Sequence, residues 1–134
     1  MSKLIEEFLA GRDAVADFTR CRGYLQSALD LIETHTMGDI IAGIERGAFH
    51  FWPGQKSAAI TEVYQYPRAR YLNIFLAGGD LDELLSMVPL FKSWGEHLGC
   101  TELVLAGRPG WEKVLKGWTR RAVVLSTQIE KGSN

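Results

Sequence analysis

RYLNIFLAGGDLDELLSMVPLFKSWGEHLGCTELVLA, Arg70 to Ala106, decides the fold of this chain. It opens with period-two alternation, Leu72, Ile74 and Leu76 on one face and Tyr71, Asn73 and Phe75 on the other, which is the pattern of a strand. Gly78 and Gly79 then break the run and Asp80 stands where a helix cap belongs. Leu81, Leu84, Leu85, Val88, Phe91 and Leu98 follow at helical spacing. Pro89, inside that pattern, removes one backbone hydrogen bond and crowds the carbonyl four residues back, so the helix is predicted to kink or restart there. Gly99 closes it. Thr101 to Ala106, short and apolar, is predicted to lie parallel to the Tyr71 strand through a right-handed crossover. Open α/β sheets bind ligands just beyond the carboxyl end of such a strand, where glycines let backbone N–H groups approach an anion. Here three carboxylates, Asp80, Asp82 and Glu83, follow the glycines and oppose an anion.

Upstream, Leu4, Ile5 and Phe8 make a short helical stripe that Gly11 interrupts. Cys21, Leu25, Ala28 and Ile32 mark one buried face of a helix from about Ala14 to Ile32. Thr36, with Asp39 three residues on, resembles a helix start. Met37, Ile40, Ile41 and Ile44 form the next stripe, and Gly47 stops it. The period then drops to two: Ala48 to Trp52 and Ala58 to Tyr66 read as a hairpin joined by a type II turn at Pro53-Gly54, feeding an antiparallel meander. Downstream, Trp111 to Lys116 makes a short helix. Arg121 to Ile129 is predicted to be a last strand, with Val123, Leu125, Thr127 and Ile129 on one face.

The predicted order is α-α-α-β-β-β-α-β-α-β, an α/β (α+β) fold in a single domain over 1–134, with a helical N-terminal extension over 1–34 and a core over 36–131. A chain of 134 residues buries roughly two-thirds of its unfolded surface. A formal net charge of −1 supplies no global field toward nucleic acid or membrane. Cys21 and Cys100 fit no zinc or disulfide framework and are expected to be reduced thiols. No apolar run reaches the roughly 18 to 20 residues of a membrane span, and the acidic start MSKLIEEFLAGRD is unlike a signal peptide. A soluble, uncleaved, cytoplasmic protein is expected, with a frayed tail at 131–134.

This order, with YLNIFLAGG at the central strand, WGEHLGCTELVL at the helix-to-strand step and GWEKVLKGW after it, resembles the GCN5-related N-acetyltransferase (GNAT) superfamily over about Thr36 to Lys131. The resemblance implies a GNAT-like fold, acetyl-coenzyme A or another acyl-coenzyme A as cofactor, and acyl transfer to an amine. It places cofactor contacts at Phe75, Ala77, Gly78, Gly79 and Asp80. The chain departs from the family pattern in four places, the first being that extra helix stands where the family has its first strand. Ala77-Gly78-Gly79-Asp80 is shorter than the family's Q/R-x-x-G-x-G/A loop and lacks its basic lead. Trp111 stands near the family's tyrosine acid. One terminal strand is expected where two are usual. Thr36 to Trp118 also resembles a group of small phage- and prophage-encoded proteins through FWPG, YPRARYLNIFLAGGDLDEL and GWEKVL. That likeness implies a phage setting, in the host cytoplasm or associated with the virion.

Glu62, mid-strand between Ile60 and Tyr64, is the candidate general base, since a carboxylate half-buried in a sheet cleft suits deprotonation of an amine; a solvent-facing strand position is the alternative. Gly78 and Gly79 with Asp80 are either an anion-binding turn or a tight turn with a cap. His50 is either a base or an edge-strand histidine. His35 and His97 are read as isolated, so no metal site is expected. Tyr64, Tyr66, Arg68, Arg70 and Tyr71 interleave rings and charges, as nucleic-acid surfaces and protein contacts both do, and the protein contact is favoured. Arg108, Lys113, Lys116, Arg120 and Arg121 form a basic edge able to offset the loop carboxylates. The sequence thus presents two functions: an acyl-coenzyme A-dependent N-acetyltransferase-like protein of phage or prophage origin with a degenerate cofactor loop, or a non-catalytic morphogenesis or host-interaction protein docking through Trp52, Tyr64, Tyr66 and Arg68.

Overall fold

The computed structural model describes residues 3–130 and 132. Three helices lead: α1 (Lys3–Leu9), α2 (Ala14–Leu29) and α3 (Met37–Glu45). Asp13 caps α2 by accepting from the amides of Val15 and Ala16. Thr36 and Asp39 close a reciprocal capping box on α3, so two of the donors a helix start leaves unpaired are satisfied by the two side chains that announced it.

The hairpin β1 (Phe49–Pro53) and β2 (Ser57–Gln65) pairs antiparallel with β3 (Arg70–Gly79), which in turn pairs in parallel with β4 (Glu102–Leu105). The sheet order is β1-β2-β3-β4. Between β3 and β4 the chain forms α4 (Leu81–Ser86) and α5 (Val88–His97), and α6 (Gly110–Val114) follows β4. Pro89 sits in the first turn of α5, where its missing N–H costs nothing, so the helix ends and restarts at Met87.

Two cores sandwich the sheet. On one face α2 and α3 cover Phe49, Ala58, Ile60 and Leu76. On the other, α1, α4 and α5 cover Trp52, Ala59, Leu72 and Ile74. Phe91 of α5 is 2% exposed at the centre of the second core, a burial that contributes about 1.5–3 kcal/mol.

Three sequence expectations are corrected. Leu76 does not share a face with Leu72 and Ile74. The register passes from Ile60↔Leu76 to Thr61↔Ile74, so Phe75 is the extra residue of a β-bulge and both Phe75 and Leu76 turn toward α2 and α3. Strict alternation cannot foresee an inserted residue. Gly54 lacks the positive φ of a type II turn. Its missing side chain instead makes room for the Glu83 carboxylate, the Ser57 hydroxyl and the Met87 methyl. Finally, Arg121 to Ile129 forms no strand: the segment has no ladder partner among the described residues and every residue in it is exposed. The apolar alternation is present but nothing described in the chain covers it. Of the tail expected to fray, 131, 133 and 134 lie outside the described residues.

Candidate functional site

The bulge at Phe75 organises the site. A bulge bends its strand and increases its twist. The parallel ladder between β3 and β4 ends at Ile74↔Leu105, while β3 continues to Gly79 along β2. The parallel pairing therefore stops at Ile74, where β4 ends and β3 runs on with β2 alone, at the end of the sheet where the helix crossover begins. After Leu105 the chain turns through Gly107, where a β-carbon would press on the rings of Trp111 and the side chain of Leu105, so Trp111 folds back over this end of β4.

On the α2/α3 face beside the bulge lies a polar cluster. The Asn73 amide Nδ2 donates to Glu62 Oε2 at 3.3 Å and to Tyr64 Oη at 3.1 Å. Asn73 is 4% exposed, and Glu62 and Tyr64 are half-buried. Glu62 and Asn73 are directly opposed across the β2–β3 ladder, as are Tyr64 and Tyr71. Burial first, and then the neighbouring Glu62 charge, push the Tyr64 phenol above its ordinary pKa. The phenol is thus held protonated next to a carboxylate, a donor beside an acceptor.

An aromatic rim adjoins the cluster. Phe75 stacks on Phe49 at 5.4 Å, and the His35 ring meets Phe75 edge-on at 4.7 Å. His35, expected to be isolated, is therefore brought to the bulge residue from the α2–α3 loop. His97 is likewise partnered, 5.3 Å from the Trp94 ring.

The glycine loop is committed to packing. A β-carbon on Gly78 would meet the carbonyl of Tyr24 on α2, and one on Gly79 would meet the Lys56 carbonyl and the Ser57 backbone. Gly79 takes φ +103°, open to glycine and strained for other residues. Asp80 accepts from the Glu83 amide at 3.0 Å, and its own N–H donates to the Lys56 carbonyl at 2.9 Å. Glu83 reaches back to accept from the Lys56 amide at 2.9 Å and from the Ser57 hydroxyl. These contacts tie the loop to the hairpin turn and to α2, and they fit poorly with a backbone cradle for a pyrophosphate. Ala77 packs on the α4/α5 side, just beyond the end of the β3–β4 pairing.

On the opposite face, His50 and Trp52 both converge on the fully buried Thr61. Trp52 Nε1 donates to Thr61 Oγ1 at 2.9 Å, and His50 Nδ1 lies 2.9 Å from the same oxygen. When the hydroxyl proton turns to Nδ1 the imidazole is neutral, and burial lowers the His50 pKa in the same direction. Trp52, 4% exposed, is core and offers no docking surface. Tyr66 and Arg68 are exposed and line a shallow pocket with Pro67. Two of the five basic-edge residues are neutralised, Arg120 by Glu112 and Arg121 by Glu102. Among the described residues no group of three or more His, Cys, Asp or Glu is placed to hold a metal.

The sequence singled out Glu62 but not Asn73, which joins it to Tyr64. Position 73 was legible as the face opposite Leu72; its partner across the ladder required the register.

With this geometry in view, comparison with solved structures is informative. A point mutant of TTHA1254 from Thermus thermophilus matches with TM-score 0.61 at 14% identity, over 87% of this chain and 93% of that one. Glucosamine-6-phosphate N-acetyltransferase from Arabidopsis thaliana matches with TM-score 0.54 at 10% identity, over 87% and 94%. The chain has a GNAT-like fold. An acetyltransferase of Trypanosoma brucei matches with TM-score 0.52 at 14% identity, over 78% of the GNAT-like chain and 89% of its own length. No protein-family model and no curated protein matches the sequence. No helix among the described residues is long and apolar enough to cross a membrane.

Proposed function

We propose that this GNAT-like protein accepts an acyl thioester, with acyl-coenzyme A the donor, and transfers the acyl group to an amine. The observation that carries this reading is the end of the β3–β4 pairing at Ile74, which leaves β3 from Phe75 onward without a neighbour on that side, next to the Glu62–Asn73–Tyr64 cluster. Phe75 and Ala77, on the length of β3 freed from β4, would line the acyl-bearing arm. Gly78, Gly79 and Asp80 would contribute little, because their neighbours are α2 and the Lys56–Ser57 turn. Weak donor binding follows.

The donor supplies an activated carbonyl with a thiol leaving group. For the chain's part, Glu62 takes the proton of the attacking amine, directly or through water, while Asn73 holds the carboxylate oriented and the neutral Tyr64 phenol stands ready as a proton donor. His35 and Phe75 give the acceptor an aromatic rim. The phage or prophage setting rests on the phrases FWPG, YPRARYLNIFLAGGDLDEL and GWEKVL. The alternative, a non-catalytic morphogenesis or host-interaction protein, retains exposed Tyr66 and Arg68 as contacts but lacks its Trp52 anchor.

The test is a thermal titration with acetyl-coenzyme A, followed by measurement of thiol release with a panel of primary amines. A ligand that binds only the native state raises the melting temperature by mass action. Glu62→Gln is expected to keep that shift and to lower thiol release by about 100-fold or more. No shift at millimolar acetyl-coenzyme A ends this reading.

A further inference from the structure

β4 pairs with β3 on one side only, and a groove of about 1340 Å³ lies between β4, α5, α6 and the chain at 121–124. Residues 121–124 already form one wall of it, so this volume is what the protein's own segment leaves open. The floor is apolar, with Leu103 and Leu105 of β4, Phe91 of α5 and Leu115. Val123 and Val124 also line the groove, yet they are 64% and 84% exposed. The charges on the rim are uneven. Glu112 is paired with Arg120 and Glu102 with Arg121, and Lys92 and Glu96 stand four residues apart on α5, where opposite charges offset each other. Arg108 and Lys116, on either side of α6, line the groove as well and have no ion-pair partner among the described residues.

We propose that this groove binds a long-chain fatty acid, with the alkyl chain along the floor and the carboxylate at Arg108 and Lys116. Shape and charge select this occupant. The floor follows β4, whose four residues at about 3.3 Å each run roughly 13 Å, and the volume exceeds the roughly 300–1,000 Å³ of compact ligand sites. An extended chain fills such a space. The uncompensated charge on the rim is positive, so the head is an anion, and a carboxylate matches the guanidinium fork of Arg108 in two parallel hydrogen bonds. Each methylene moved from water onto the apolar floor tightens binding about three- to four-fold. The chain also covers Val123 and Val124, which the folded protein leaves facing open space. The groove takes no residue from the Glu62–Asn73–Tyr64 cluster, and the inference is independent of acyl transfer.

Titration of the full chain with octanoate, decanoate and dodecanoate below their micelle concentrations is expected to show affinity rising about three- to four-fold per methylene, about a hundred-fold or more across the series. Dodecyltrimethylammonium, with the same chain and the opposite head, should bind about ten-fold more weakly than dodecanoate or worse. Arg108→Glu with Lys116→Glu should weaken dodecanoate by a similar factor without changing the circular dichroism, since both side chains are exposed. Val124→Asp should weaken it too, while Val15→Asp, at a comparably exposed position on α2, should not. No binding at millimolar dodecanoate, an affinity that ignores chain length, or equal binding of the cationic and anionic amphiphiles overturns the proposal. So does an affinity untouched by the charge reversal and by Val124→Asp, which would place the chain elsewhere on the surface. Dodecanoyl-coenzyme A binding more tightly than dodecanoate would make the chain part of a donor, and would also overturn it.

Discussion

The carbonyl oxygen of Tyr24, on α2, occupies the space that a β-carbon on Gly78 would need. The glycine is there for a helix to pack on a strand, with the neighbouring atom part of the backbone and unable to swing aside. Gly78→Ala is therefore expected to destabilise the protein by about 1–3 kcal/mol, the cost of overpacking. Urea unfolding measures it; an unchanged midpoint would mean that α2 does not press on β3.

Glu83 acts as a strap. Its carboxylate holds the Lys56 amide and the Ser57 hydroxyl from 27 and 26 residues away. Removing it leaves the hydroxyl of the buried Ser57 without its acceptor, so Glu83→Ala should cost about 1–3 kcal/mol. Glu83→Gln, which keeps an acceptor oxygen, should cost less. Equal losses in the two variants would argue against the strap.

His50 links stability to pH. Burial lowers its pKa from the ordinary value of 6.5, so the unfolded chain binds the proton more readily than the folded one. Stability is complete above the unfolded value and is lost as pH falls from 6.5 through the lower folded value. The urea midpoint should drop in the wild type as pH falls through and below 6.5, and His50→Gln should flatten that drop. If the wild type and variant fall in parallel, other groups carry the dependence.

Tyr64 reports on Glu62. The charge and hydrogen bond of Glu62 both raise the phenol pKa, beneath a larger contribution from burial. Glu62→Gln should move the phenolate absorbance titration of Tyr64 to lower pH, though not to the value of free tyrosine. A titration unmoved by the substitution would place the carboxylate too far away to influence the phenol, and the proposed pairing of acceptor and donor would fail with it.

Thr61 is the hub of the opposite face. Thr61→Val keeps the shape while removing the oxygen shared by Trp52 Nε1 and His50 Nδ1. An unpaired buried donor costs about 1–3 kcal/mol. The loss should exceed that of Thr61→Ser, and comparable stability of the two variants would show that the hydroxyl is dispensable.

Local chemistry determined much of this protein. Thr36 with Asp39, Asp80 before α4, Pro89 at the start of α5 and the glycines at 47, 79 and 99 marked the element boundaries, because caps and positive-φ positions act within a few residues. The parallel placement of β4 followed from the helices between it and β3. Tertiary structure alone decided the rest. The bulge at Phe75 exists only relative to β2, the linkage of Asn73 to Glu62 and Tyr64 depends on register, and Gly78 serves α2, some fifty residues earlier in the chain, while Gly79 serves the Lys56–Ser57 turn. The fate of 121–129 differs in kind: alternation states that a segment can be a strand, but a strand needs an edge to pair with, and that edge is a property of the assembled sheet.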